Sequence, residues 1–404
     1  MATQSPEVDI DRFHLTELVR KALDRPALQV AEWNVQPIHS GVEGTSALYR
    51  LRGEAQDEGG ILPWSLILKI VKSSPQSSDP GGIWYWKREA EAYQSGLLRR
   101  LPGGNIGAPA CYEVSEKPDG SMWLWLEEVK DDLGATWTIE QYAVAARHLG
   151  QFNGAYLVGQ VIPAEPWITR NWLRQYVEHA ATMIEFLHSN PGNPVAMKMF
   201  PGRSMARILA TWDERVQMFD VLDNLPQVFC HQDAFKRNLF VRQGKTVVID
   251  WGYLGMAPAG AELVALVLGS ISMLEMPVSQ VRELDRRCFE GYLQGLREAG
   301  WDGDPRQVRT GYVLTALMRY PLGGGVGEAL PALLDPEQRA WLEAAFGQSA
   351  DEFGKTDPAE AAYYQALLYE MTKLLGMKRL VRLFGRIFGY TLRLWMRGKT
   401  SRKL

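Results

Sequence analysis

Cysteine is scarce in this chain: Cys111, Cys230 and Cys288 are the only three in 404 residues, an odd number at wide spacing. That excludes a disulfide-stapled scaffold and a cysteine-based metal site, and it fits reduced core thiols in a cytoplasmic protein. Long apolar runs are also missing. No stretch approaches the roughly 20 apolar residues of a membrane-spanning helix, and residues 1–9 are polar and acidic, without the apolar core of a secretory signal. Acidic side chains are absent from residues 371–404, which hold ten Lys/Arg. The whole chain carries 44 Lys+Arg and 47 Asp+Glu, a net charge of −3, so the remainder carries −13. No nucleic-acid-binding motif accompanies the basic tail, and nucleic acid is not an expected partner. What is present is a globular composition, 46% hydrophobic with 14 Trp, long enough for two or three lobes.

Two β-prone apolar runs, 239–241 and 246–249, flank Arg242, Gln243, Gly244 and Lys245. Gly244 supplies the positive φ of a tight hairpin turn. Counting back from a two-residue loop at Gln243 and Gly244 pairs Arg242 with Lys245, Leu239 with Val248 and Asn238 with Ile249. Asn238 and Asp250 then emerge side by side at one ribbon end, and Asp233 lies in the loop that feeds it. Two carboxylates and an amide make a hard, oxygen-rich site suited to Mg²⁺ more than to zinc.

The pattern His231-x-Asp233-x-x-x-x-Asn238, followed by Ile249-Asp250-Trp251, resembles the catalytic segment of the aminoglycoside phosphotransferase and choline kinase superfamily, which has a protein-kinase-like fold. The resemblance implies that Asp233 orients and deprotonates a hydroxyl acceptor, that Asn238 and Asp250 hold Mg²⁺ on a nucleotide, and that His231 braces the loop. Glu262 stands where the family commonly has an Asp that steadies this loop. Gln232 replaces the usual Gly of His-Gly-Asp, and Phe152-Asn153 replaces the usual Leu-His of a C-lobe helix.

The N-terminal region fits the same layout. A short helix over residues 10–24 leads in. Strands around 33–38 and 47–51 enclose a glycine-containing turn with Ser40, Gly41, Gly44 and Thr45, the expected nucleotide-covering loop. Lys69 lies in an apolar strand, 64–72, where a buried ammonium requires an anionic partner. Trp86, Ala90, Tyr93 and Leu97 recur at helical spacing with Glu89 on their stripe, so Glu89 is the expected partner. Strands follow at 111–114 and 122–126, joined by a Lys117–Gly120 turn. Glu128 and Val129 fall where the family has its interlobe hinge, whose backbone would hold the base of ATP, with GTP equally compatible.

A helix from Ile139 to Leu157 opens the second lobe. Residues 158–226 form an aromatic and Met-rich helical insertion (Trp167, Trp172, Tyr176, Met183, Phe186, Met197, Met199, Met205), mostly core, with a minority available to an acceptor pocket. Glu178 and Glu185 are compatible with a cationic acceptor. The C-terminal region reads as helical, interrupted by a flexible glycine loop at 323–327. The basic amphipathic stretch 374–404 either packs on the acidic body or lies on an anionic membrane surface.

The expected fold class is therefore α+β: a small antiparallel β N-lobe to residue 128 and a larger, mainly helical C-lobe over 129–404. The expected function is transfer of a γ-phosphoryl group to a small-molecule hydroxyl. The other classes in view are a non-catalytic nucleotide- or metabolite-binding protein on the same scaffold and a membrane-surface regulator acting through the basic tail.

Overall fold

The computed structural model describes residues 9–38, 46–74, 77–347, 349 and 357–375. Ser40, Gly41, Gly44 and Thr45, and all but the first two residues of the 374–404 stretch, lie outside the described residues. The chain divides into two compact units. The α+β class expected from the sequence is the one observed, an antiparallel sheet ahead of a mainly helical remainder.

The first unit comprises residues 1–136, 163–169 and 237–254. Helix α1 (Arg12–Leu23) starts at Asp11, whose carboxylate accepts from the His14 N–H at 2.7 Å. Five strands follow: β1 (Gln29–Ile38), β2 (Ser46–Asp57), β3 (Gly60–Val71), then β5 (Cys111–Glu116) and β6 (Met122–Glu127) after the two-residue β4 (Ile106–Gly107). They form an antiparallel sheet in the order β1-β2-β3-β6-β5. Period-2 alternation on β3 sends Trp64, Leu66, Leu68 and Ile70 to one face, where they pack with Leu15, Leu18 and Val19 of α1. Lys69 is left on the other face. Helix α2 (Arg88–Gln94) is shorter than its apolar stripe, because Gly96 turns left-handed (φ 72°) and Leu97 falls in a separate short 3-10 turn.

The second unit comprises residues 137–162, 170–236 and 255–404. Helix α3 (Ile139–Leu157) has the predicted bounds, closed at its start by reciprocal bonds between Thr138 and Gln141. The insertion supplies α4 (Trp172–Glu178), α5 (Ala181–Ser189), α6 (Pro194–Met199), α7 (Ser204–Asp213) and α8 (Arg215–Asp223). Its named large residues are less uniformly core than expected. Trp167, itself in the first unit, and Trp172 are buried, but Met197 is exposed, and apolar residues such as Ile184, Leu187, Leu209 and Phe219 fill the interior instead.

Helices α9 (Val281–Glu298) and α10 (Pro305–Met318) complete the core, with α11 (Leu330–Leu334), α12 (Pro336–Phe346) and α13 (Pro358–Leu375) beyond. Helix α9 meets α3 backbone to backbone. A Cβ at Gly295 would lie 2.0 Å from the Arg147 carbonyl oxygen, and one at Gly150 would lie 2.2 Å from that of Tyr292, so only glycine permits this crossing. The glycine-rich stretch expected as a loop is helical instead. Residues Arg319–Ala329 continue α10 as π-helical turns, which keep the backbone hydrogen-bonded despite four glycines and a proline. Among the described residues, no helix is long and apolar enough to cross a membrane.

Candidate active site

In the first unit, strand β3 presents Lys69 between two carboxylates. Its Nζ donates to Glu89 Oε2 at 2.5 Å and to Asp250 Oδ1 at 2.7 Å. Burial alone would depress the lysine, but Asp250 and Glu89 outweigh it and hold the ammonium well above its ordinary range. Glu89 is buried and Asp250 is about half exposed, with 48% of its side chain accessible. The second oxygen of Glu89, Oε1, accepts from the Trp251 N–H at 3.2 Å, so one carboxylate links the lysine to the segment after Asp250. Burial pushes the Glu89 carboxyl up against the pull of Lys69.

Asp250 arrives on the hairpin of β8 (Leu239–Arg242) and β9 (Lys245–Val248). The register is the predicted one, Leu239 opposite Val248 and Arg242 opposite Lys245. Positive φ at both Gln243 (51°) and Gly244 (75°) gives the left-handed pair a type I′ turn needs. The Ile249 N–H donates to the Asn238 carbonyl at 2.9 Å, which fixes Asn238 beside the strand that leads to Asp250. Asp131 and Asp132 tether the ribbon through the Val241 and Gln243 N–H groups at 2.9 and 2.7 Å.

Sequence reasoning missed Arg88. Wholly buried, it donates to the carbonyls of Trp167 (2.7 Å), Ile83 (3.1 Å) and Gly252 (2.8 Å), and also to Pro80 and Gly82. It therefore pins the turn after Asp250 to two distant segments, and burial lowers its pKa to about 10.

The expected hinge residues lie just past β6. Glu128 is ion-paired to Arg50 at 2.6 Å and Arg52 at 2.8 Å, both on β2, and Val129 is half-buried in the extended chain that follows.

In the second unit, β7 (Gln227–Cys230) pairs antiparallel with β10 (Gly255–Pro258) and delivers His231 and Asp233 at its end. Glu262 braces this turn: its buried carboxylate accepts the His231 N–H at 2.7 Å and the Gln232 N–H at 3.0 Å. Burial raises Glu262 from 4.5 to about 7, against the two backbone donors. Buried His231 in turn accepts the Asp233 N–H on Nδ1 at 3.2 Å. Asn153, at the position of the usual His, donates to the Phe229 carbonyl at 2.8 Å and accepts from Tyr292 Oη at 2.7 Å. Arg319, also unforeseen, donates to the Gln232 carbonyl and to Asp233 Oδ1, the latter at 3.0 Å.

A raised carboxyl makes stability depend on pH. Below about 4.5 Glu262 is protonated folded or unfolded, and its contribution is fully present. It is lost as pH rises through about 7, because the unfolded chain ionises first. Chemical unfolding at pH 4.5 and pH 8 is expected to show the wild type losing about 3 kcal/mol relative to Glu262→Gln. Parallel pH dependence in the two proteins would contradict the assignment.

Among the described residues, no cluster of three or more His, Cys, Asp or Glu is placed to hold a metal. The candidate oxygen donors are one carboxylate and one amide in the first unit.

Residues 143–305 match the family described as Phosphotransferase enzyme family, a span that includes the 231–262 motifs and excludes β1–β6. No curated protein matches the chain. Solved structures similar to it include an aminoglycoside phosphotransferase from Alicyclobacillus acidocaldarius, at 14% identity, covering 91% of this chain and 98% of that one, with a TM-score of 0.48. The amicoumacin kinase hAmiN is also similar, at 14% identity, 84% and 95% coverage and a TM-score of 0.46. So is APH(3'')-Id from Streptomyces rimosus, at 17% identity, 77% and 99% coverage and a TM-score of 0.40.

Proposed function

We propose, from the match of residues 143–305 to the family described as Phosphotransferase enzyme family, that this chain is a small-molecule kinase that moves the γ-phosphoryl group of ATP to an alcohol. The observation that carries the reading is Lys69 held between Glu89 and Asp250, because a lysine fixed by two anions is a ready contact for nucleotide phosphates. Asp233 is the base: its carboxylate accepts the acceptor hydroxyl's proton as the phosphoryl group arrives. His231 and Glu262 hold the turn that aims it. Ser40, Gly41, Gly44 and Thr45 cover the phosphates, and the backbone at Glu128 and Val129 receives the purine.

Asn238 and Asp250 fit magnesium. Both offer hard oxygen donors, and Asp250 is partly solvent-accessible, so these two residues would hold the ion. When bound, the ion neutralises charge on the phosphate oxygens. Lys69 adds a fixed positive charge to the same task, and Glu89 and Arg88 keep that charge and the turn after Asp250 in place.

The test is phosphoryl transfer from γ-labelled ATP, with Mg²⁺, to a panel of alcohols that includes sugars, hydroxy acids and aminoglycosides. Label appearing in an organic phosphate is the expected result. No transfer to any alcohol or to water would sink the reading.

A further inference from the structure

The two π-helical segments of the second unit both close on the turn that carries Asp233. Ala265–Gly269 places Gly269 against Phe235, where an added Cβ would lie 3.0 Å from that of Phe235. Arg319–Ala329 begins with the arginine that reaches Asp233. π-Helical turns are rare and are found frequently at functional sites.

Arg319 itself is nine-tenths buried, 86 residues away in sequence from the carboxylate it touches. One guanidinium nitrogen donates to the Gln232 carbonyl and the other to Asp233 Oδ1 at 3.0 Å. Its Cζ lies over the Trp172 ring, 4.6 Å from the centroid, and over that of Tyr320 at 5.6 Å. A buried, two-point contact of this kind beside an aromatic ring fixes the rotamer of the carboxylate and places a permanent cation next to it.

We infer that Arg319 is the positioning residue of Asp233. Asp233 Oδ1 is engaged by Arg319, so the acceptor hydroxyl approaches a carboxylate whose orientation is already set. The inference rests on the proposed role of Asp233 as base.

The experiment uses the full-length chain with Mg-ATP and water, D-glucose or D-gluconate as acceptor. Arg319→Met is expected to lower kcat at least about tenfold while the KM for ATP stays within about twofold, and Arg319→Lys is expected to recover part of the loss. Wild-type kcat in Arg319→Met, with Asp233→Asn inactive, would overturn the inference and leave the kinase reading standing. Wild-type turnover in Asp233→Asn would instead remove the base. Thermal unfolding of both single variants and the double variant decides the contact without any turnover. Losses in Tm that are less than additive are expected, and full additivity would overturn it.

Discussion

Asp233→Asn lowers kcat for phosphoryl transfer by about 10²–10⁴-fold, the worth of a positioned general base, and leaves Mg-nucleotide affinity within about twofold. The substitution isolates basicity. The backbone N–H of residue 233 still donates to His231 Nδ1, and an amide oxygen can still accept from Arg319. The turn therefore keeps its shape while losing the group that takes the proton. Single-turnover transfer from labelled ATP, paired with an equilibrium nucleotide titration, separates the two effects. Turnover like that of the wild type would take Asp233 out of the mechanism, and a parallel loss of nucleotide binding would mean that the change had spread beyond the base.

Asp250→Ala acts on the other half of the chemistry. Nucleotide binding in the presence of Mg²⁺ is expected to weaken by at least about 100-fold, the upper end of what losing even an outer-shell partner costs a metal site. Binding measured without divalent ions changes far less, because Lys69 keeps Glu89 at 2.5 Å. Asp250 also occupies a left-handed backbone conformation, φ 62°, that alanine adopts poorly. Asp250→Asn is the control, since asparagine tolerates that conformation and removes only the charge. Equal Mg²⁺-dependent titrations for wild type and both variants would contradict the assignment.

The departures from the family pattern acquire physical reasons once the fold is known. Gln232 stands at φ 74°, the region where glycine is at ease, which explains why glycine is usual at that position. Here the conformation is held from both sides, by Glu262 on the Gln232 N–H and by Arg319 on its carbonyl. The longer Glu262 still reaches two consecutive N–H groups. Asn153 keeps a polar link between α3 and β7, supported by Tyr292 of α9. None of these compensations has a local signature, because each partner comes from a remote part of the chain.

The amino-acid order by itself determined whatever depends on short-range geometry. The hairpin register around Gln243 and Gly244, the bounds of α3 and the alternation that singles out Lys69 on β3 follow from turn chemistry and from periods of 2 and 3.6 residues. Glu89 was legible for the same reason, since its stripe fixes which way it points. Tertiary structure alone decided the rest. It set Arg319 on Asp233 and Arg88 on the turn after Asp250, and it wound the glycines of 323–327 into a helix. A buried guanidinium finds its carbonyls and carboxylates through packing, and glycines fold as helix when the surrounding elements leave room for backbone and nothing larger, as the Tyr176 ring does 2.3 Å from where a Cβ of Gly323 would stand.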